Sequence, residues 1–206
     1  MRPAKGLARL FFFTDPVRTP DPLAIVRRLP RGAGVVYRAF GRPDALPLGR
    51  RLVGEARRRQ LTFLVGADAR LAAALQADGV HLPERMAARA RGLKRSRPTW
   101  IVTCAAHSQA AIIRARRSAA DGLFVSPVFA TASPSAGAPL GPLRFAALVR
   151  SATLPVLALG GVNQATARRL AGSGAYGLAA VDAFAVAAED RDLLRSALSR
   201  EPPPRT

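Results

Sequence analysis

Short apolar runs alternate along the chain with Ala- and Arg-rich stretches of helical period. The runs are Leu10–Thr14, Gly34–Arg38, Leu61–Val65, Gly79–Leu82, Trp100–Cys104, Leu123–Ser126, Val156–Leu159 and Leu178–Val181. They are nearly continuous rather than alternating, the pattern of strands covered on both faces, as in a parallel sheet. The stretches between them predict helices over Pro22–Leu29, Leu48–Arg59, Ala69–Gln76, Glu84–Gly92, Ser108–Ala119, Pro142–Ser151, Gln164–Gly172 and Asp190–Ser199. Eight strands, each followed by a helix, predict an α/β fold: a single (β/α)8 TIM barrel over residues 1–199, with 200–206 as a frayed tail. An open doubly wound sheet, which usually has fewer strands, is the second choice.

A short repeat supports the barrel. Ala77-Asp78-Gly79-Val80 resembles Ala120-Asp121-Gly122-Leu123, and Ala175-Tyr176-Gly177-Leu178 echoes both. Each copy follows a predicted helix, so the glycine is expected to supply the tight turn into the next strand.

At 206 residues the chain suits eight short βα units with little decoration. It carries 32 basic against 13 acidic residues, a net charge of +19. That excess invites a nucleic-acid reading. However, 30 of the basic residues are arginines and only Lys5 and Lys94 are lysines, and the triplet Arg57-Arg58-Arg59 cannot share one helical face. A general compositional bias spread over a solvated surface is favoured over a phosphate-binding groove, and no nucleic-acid-binding motif is visible. The single Cys104, inside an apolar run, excludes an internal disulfide framework and fits a reducing, cytoplasmic setting. No run reaches the ~20 apolar residues of a membrane span.

In a barrel of this kind, chemistry is carried where the strands end. Gly160-Gly161 closes the seventh run, with Asn163 a good N-cap for the helix that follows. Glycines there let a phosphate approach the backbone, although a tight turn without a ligand explains them too. Asp182 and Ala183 follow the eighth run, and a carboxylate at Asp182 counts against a phosphate unless it points away. Arg38 ends the second run. A guanidinium inside a barrel mouth needs an anion, and a substrate phosphate and Asp15 are equally good partners. His81 and His107, the only histidines, are candidates for acid–base work; packing in the barrel's top layer and helix capping are their structural alternatives. Ser126, and Thr131 in the 130–139 loop, could donate hydrogen bonds to a ligand.

Several of these segments resemble the thiamin phosphate synthase/TenI family. The resemblance rests on Phe13-Thr14-Asp15, Asp78-Gly79-Val80-His81-Leu82, Ala106-His107-Ser108, Ser126-Pro127-Val128-Phe129-Ala130-Thr131, Leu140-Gly141 and Leu154 through Val162. It implies the same barrel and a small phosphorylated heterocycle as partner. It also implies either the magnesium-dependent joining of an aminopyrimidine diphosphate to a thiazole phosphate, or TenI-type tautomerisation of a thiazole phosphate. The family's pattern is broken at several positions. In its diphosphate clamp, Val36 replaces a Gln and Phe40 a Lys, while Arg38 is kept. The metal carboxylates align with Ala67 and Met86, a Ser with Ala105, the Lys after strand six with Pro134 and the TenI histidine with Pro127. Asp68 and Glu84 lie next to the lost carboxylates and are the remaining candidates for a displaced metal pair; an acid at a helix start explains each as well. The expectation is a family barrel that binds a thiazole or aminopyrimidine phosphate with little synthase activity. A non-catalytic binder or regulator on the same barrel is the alternative.

Overall fold

Strand and helix alternate as the hydrophobic pattern predicts. The computed structural model describes residues 6–133 and 137–184. Its strands are β1 (Leu10–Phe13), β2 (Gly34–Tyr37), β3 (Thr62–Gly66), β4 (Gly79–Leu82), β5 (Ile101–Ala106), β6 (Gly122–Val125), β7 (Val156–Ala158) and β8 (Gly177–Ala180). They form a closed barrel in chain order, with every neighbouring pair parallel and β1 joined to β8. The helices are α1 (Pro22–Val26), α2 (Ala45–Arg58), α3 (Ala69–Ala74), α4 (Ala90–Ser96), α5 (Gln109–Arg116), α6 (Gly141–Ser151) and α7 (Gln164–Arg168). The fold is therefore a single (β/α)8 barrel. The expected helix Asp190–Ser199 and the tail 200–206 lie outside the described residues. Among the described residues, no helix is long and apolar enough to cross a membrane.

One predicted helix differs in kind. Residues Glu84–Arg89 form a 3-10 helix that leads into α4 instead of beginning an α-helix. None of these six residues is fully buried; only Met86 and Ala87 pack, and only partly, against the core, so little burial favours α-helical geometry there.

Burial on both faces explains the continuous apolar runs. Outward-facing residues such as Leu10, Phe12, Val35, Tyr37, Phe63, Val65, Val80, Leu82, Val102 and Cys104 join the layer packed beneath the helices. Burial pushes the Cys104 thiol up to about 11, so it behaves as a small core residue. Inward-facing Phe11, Phe13, Val36, Leu64, Ile101, Phe124, Leu157 and Ala179 fill the barrel. Near the top, Phe13, His81 and Phe124 form a triangle of edge-to-face contacts, with ring centroids 4.9–5.2 Å apart.

The repeat has a different meaning from the one its position implies. Gly79, Gly122 and Gly177 are not among the residues with positive φ, so none of them makes a left-handed turn. Each begins an even-numbered strand at an inward position where space is missing. A Cβ on Gly79 would overlap the carbonyl oxygen of Ile101, and one on Gly177 that of Arg9. On Gly122 it would press on Leu7, and on Gly34, at the same place in β2, it would enter the Phe11 ring. The residue before the glycine stitches the barrel floor. The Asp78 carboxylate accepts the Phe63 N–H at 2.7 Å. The Asp121 carboxylate accepts the Val102 N–H at 2.8 Å and pairs with Lys94 at 3.0 Å. In the third copy, the Tyr176 hydroxyl donates to the Leu7 carbonyl at 2.8 Å.

Two outcomes follow for stability. Gly79→Ala should destabilise the chain by about 3 kcal/mol or more, because the obstacle is backbone. Gly54→Ala, inside α2 with open space around the added Cβ, should stabilise it by about 1 kcal/mol. Urea unfolding of the two variants measures both, and a similar effect from each would refute the close-approach explanation.

A third outcome concerns His81. Burial, then the charges of Arg38 and His107, push its ring from 6.5 down to about 3, so the folded chain holds it neutral. The unfolded chain binds that proton at higher pH than the folded one. The contribution is therefore complete above about pH 6.5 and is lost, at about 1.4 kcal/mol per pH unit, as pH falls toward 3. His81→Gln should flatten the acid limb of a stability–pH profile; an unchanged slope would show that the ring titrates normally.

Candidate functional site

The strand ends gather two groups of polar side chains at the mouth of the barrel. The first belongs to the loops after β1, β2 and β8. Asp15 opens a tight loop: its Oδ1 accepts the N–H groups of Val17 and Arg18 at 3.1 and 3.0 Å. The Thr19 hydroxyl closes the same loop, donating to the Asp15 carbonyl at 2.7 Å and accepting the Asp15 N–H at 2.8 Å. Arg38, just past β2, reaches back to β1. Its Nε donates to the Thr14 carbonyl at 2.7 Å and one terminal N–H pairs with Asp15 Oδ2 at 3.1 Å. Its guanidinium lies between the rings of Phe13 and Phe40, 5.7 and 5.1 Å from their centroids. Burial pulls the Arg38 pKa down, opposed by Asp15 and reinforced by Arg18. Of the two partners the sequence leaves open for Arg38, Asp15 is the one in contact.

Asp182 is paired with Arg18. It begins a short 3-10 helix, Asp182–Phe184, and its carboxylate takes both forks of the Arg18 guanidinium, with Arg18 Nε at 2.9 Å from Oδ1. Ala183, in the same short helix, is buried. Arg18 is absent from the sequence reading because its partner lies 164 residues away and no local pattern announces the pair. Phe40, the aromatic in place of a clamp lysine, is 65% exposed and holds a left-handed φ of 49°.

The second group belongs to β4, β5 and β6. Glu84 Oε2 accepts the His107 N–H at 3.0 Å, and Oε1 pairs with Arg114 at 2.6 Å. His107 does not cap α5; Ser108 does, accepting the Ala111 N–H at 3.2 Å. The His107 ring instead places Nδ1 2.7 Å from the Ser126 carbonyl and 3.3 Å from the Ser126 hydroxyl. A carbonyl only accepts, so Nδ1 carries a proton directed at Ser126, and Nε2 is the ring nitrogen left without that contact. His81 lies below, with Nδ1 3.1 Å from the Thr103 hydroxyl. Thr131 Oγ1 accepts the Ser133 N–H at 3.4 Å, and Pro134 lies outside the described residues.

Between the groups runs the turn after β7. Gly160 and Gly161 have φ of 88° and 63°, which glycine adopts freely. Their missing side chains make room for the loop after β6: a Cβ on Gly161 would overlap the Ala130 carbonyl, and one on Gly160 would come within 2.8 Å of Pro127. The glycines are thus required by packing, whatever else they do. The N–H groups of Gly160, Gly161 and Val162 have no hydrogen-bond partner among the described residues. Asn163 caps α7 in a reciprocal box with Thr166, as its sequence position predicts.

The donors do not fit a magnesium ion. Ala67 and Met86 supply no oxygen ligand from their side chains. Asp68 is engaged in capping α3 through the Leu71 N–H at 2.9 Å, and Glu84 is engaged by His107 and Arg114. No group of three or more His, Cys, Asp or Glu side chains among the described residues could hold a metal ion.

Comparison of the sequence with known proteins points to one family. A thiamine-phosphate synthase of Chloroflexus aurantiacus is 36% identical over 140 residues, covering 65% of this chain and 62% of that protein. One from Chlorobium luteolum is 28% identical over 185 residues, covering 87% of each. The chain thus spans about three-fifths of the first relative's length and most of the second's. Among solved structures, a thiamine phosphate pyrophosphorylase from Pyrococcus furiosus superposes with a TM-score of 0.77 over 93% of this chain and 97% of that one, at 24% identity. The thiamine monophosphate synthase family model matches residues 17–184, and the chain belongs to that family, the thiamin phosphate synthase/TenI family.

Proposed function

We infer that this barrel binds a phosphorylated thiazole or aminopyrimidine at its mouth and couples the two poorly, if at all. The observation that carries the reading is the turn after β7, where three consecutive N–H groups, from Gly160 to Val162, have no described partner. Phosphate oxygens satisfy such donors, and the loops after strands seven and eight are the usual phosphate position in this fold. Arg38 supports the same reading. It is a largely buried cation flanked by two aromatic rings, a setting suited to a planar, anionic heterocycle.

Coupling needs the departing diphosphate to be neutralised as charge builds on it. Phe40 in place of a lysine, and Ala67 and Met86 in place of carboxylates, remove the groups the family resemblance assigns to that task. Binding therefore survives where the rate advantage does not. A second reading, proton transfer on the bound ring, draws on His107, whose Nδ1 is held by Ser126 and whose Nε2 is the ring nitrogen left to exchange a proton.

Calorimetric titration with thiazole phosphate should show binding that magnesium leaves unchanged, weakened about tenfold or more by Arg38→Ala. Incubation with both thiamin precursors and magnesium should give no product above the protein-free control. Magnesium-dependent thiamin phosphate would overturn the reading and return Asp68 and Glu84 to a metal role. For the second reading, His107→Gln should keep ligand affinity and abolish isomerisation of the ring; equal isomerisation by the variant removes His107 from the chemistry.

A further inference from the structure

Arg18 and Asp182 form an ion pair that joins the loop after β1 to the end of β8 without contributing to the core. The two side chains are unequal: Arg18 is 20% exposed and Asp182 is 55% exposed. The cation is built in, and its partner is not. Asp15 Oδ1 holds the Arg18 backbone N–H, and the Asp15–Thr19 hydrogen bonds fix the loop that carries it. The carboxylate stands in solvent, where such a pair is worth little and is cheaply exchanged. It meets the guanidinium through both forks, the geometry in which arginine also takes a phosphate. Asp182 sits at the end of β8, next to β7 in the barrel, whose following turn carries the N–H groups that have no partner among the described residues.

We propose that Arg18 is a phosphate-binding residue of this site and that Asp182 is a placeholder, keeping the guanidinium oriented until a phosphate displaces it. The proposal rests on the reading that the ligand is a phosphorylated heterocycle. It also accounts for a carboxylate beside a phosphate turn: Asp182 is a competitor that leaves, not a neighbour that repels.

The two halves of the pair then have opposite signs, which a merely structural bridge does not. Affinity for thiazole phosphate, with inorganic phosphate as a second probe, is measured by calorimetry on the full chain, and thermal unfolding checks each variant. Arg18→Gln should weaken binding about tenfold or more, and Arg18→Lys less, since it keeps charge without the fork. Asp182→Asn should tighten it by up to about fivefold. In the double variant the tightening should vanish, leaving the affinity of Arg18→Gln. Weaker binding in Asp182→Asn overturns the proposal, as does tightening that persists without Arg18, because simple repulsion would then explain it. If Arg18→Gln fails to fold, Asp182→Asn and Arg18→Lys still decide the sign. A wild-type chain that binds neither probe refutes the phosphate reading itself, whereas wild-type binding with unaltered variants refutes only the role of Arg18.

Discussion

The barrel closes because the even-numbered strands enter it with no side chain on their inner face. Gly34, Gly79, Gly122 and Gly177 occupy equivalent positions at the starts of β2, β4, β6 and β8, where a Cβ would strike the Phe11 ring, Leu7 or the backbone of the next strand. The odd strands supply bulk at that level through Phe11 and Ile101. Large and empty positions therefore alternate around the floor, and the barrel is filled rather than hollow. Above this floor there is room for a second aromatic layer of Phe13, His81 and Phe124. That layer seals the interior from the mouth and keeps His81 neutral.

The seal determines what the mouth can be. Charged groups cannot sink into the barrel, so they meet at the rim, each with a partner: Arg38 with Asp15, Arg18 with Asp182, Arg114 with Glu84. Asp15 serves twice, holding Arg38 with one oxygen and the Arg18 backbone with the other. The loops after β1, β2 and β8 are thus tied into one unit by a string of charge-assisted bonds. Rigid placement of this kind limits the ordering that a ligand must impose on arrival.

The fold was legible in the sequence because burial on both faces leaves unbroken apolar runs, and eight of them admit few arrangements. The repeat was visible too, but its glycines were misread as turns. Sequence shows that a side chain is absent and does not show which neighbour needs the space. Local capping was legible at Asn163, whose partner is three residues away. Arg18 was not, since it reaches its partner across 164 residues through barrel closure. The arginine excess was read as surface, which the structure qualifies. Arg57, Arg59 and Arg91 donate to the carbonyls of Gln76, Leu29 and Arg117, tying together segments distant in sequence. Composition reports such residues only as charge.

Charge bookkeeping at the rim bears on which ligand the proposed site would take. Arg38, Asp15, Arg18 and Asp182 sum to zero, and Phe40 adds no cation where the family's pattern has a lysine. A diphosphate arriving without a divalent ion would bring its charge to a neutral surface whose guanidiniums, Arg38, Arg18 and Arg114, are already in use. A monophosphate asks less: it can exchange for one carboxylate at a time and satisfy the N–H groups after β7. On the proposed reading, the positions that depart from the family's diphosphate clamp leave a rim better suited to one phosphate than to two, so weak coupling and ligand binding would follow from the same rim charge.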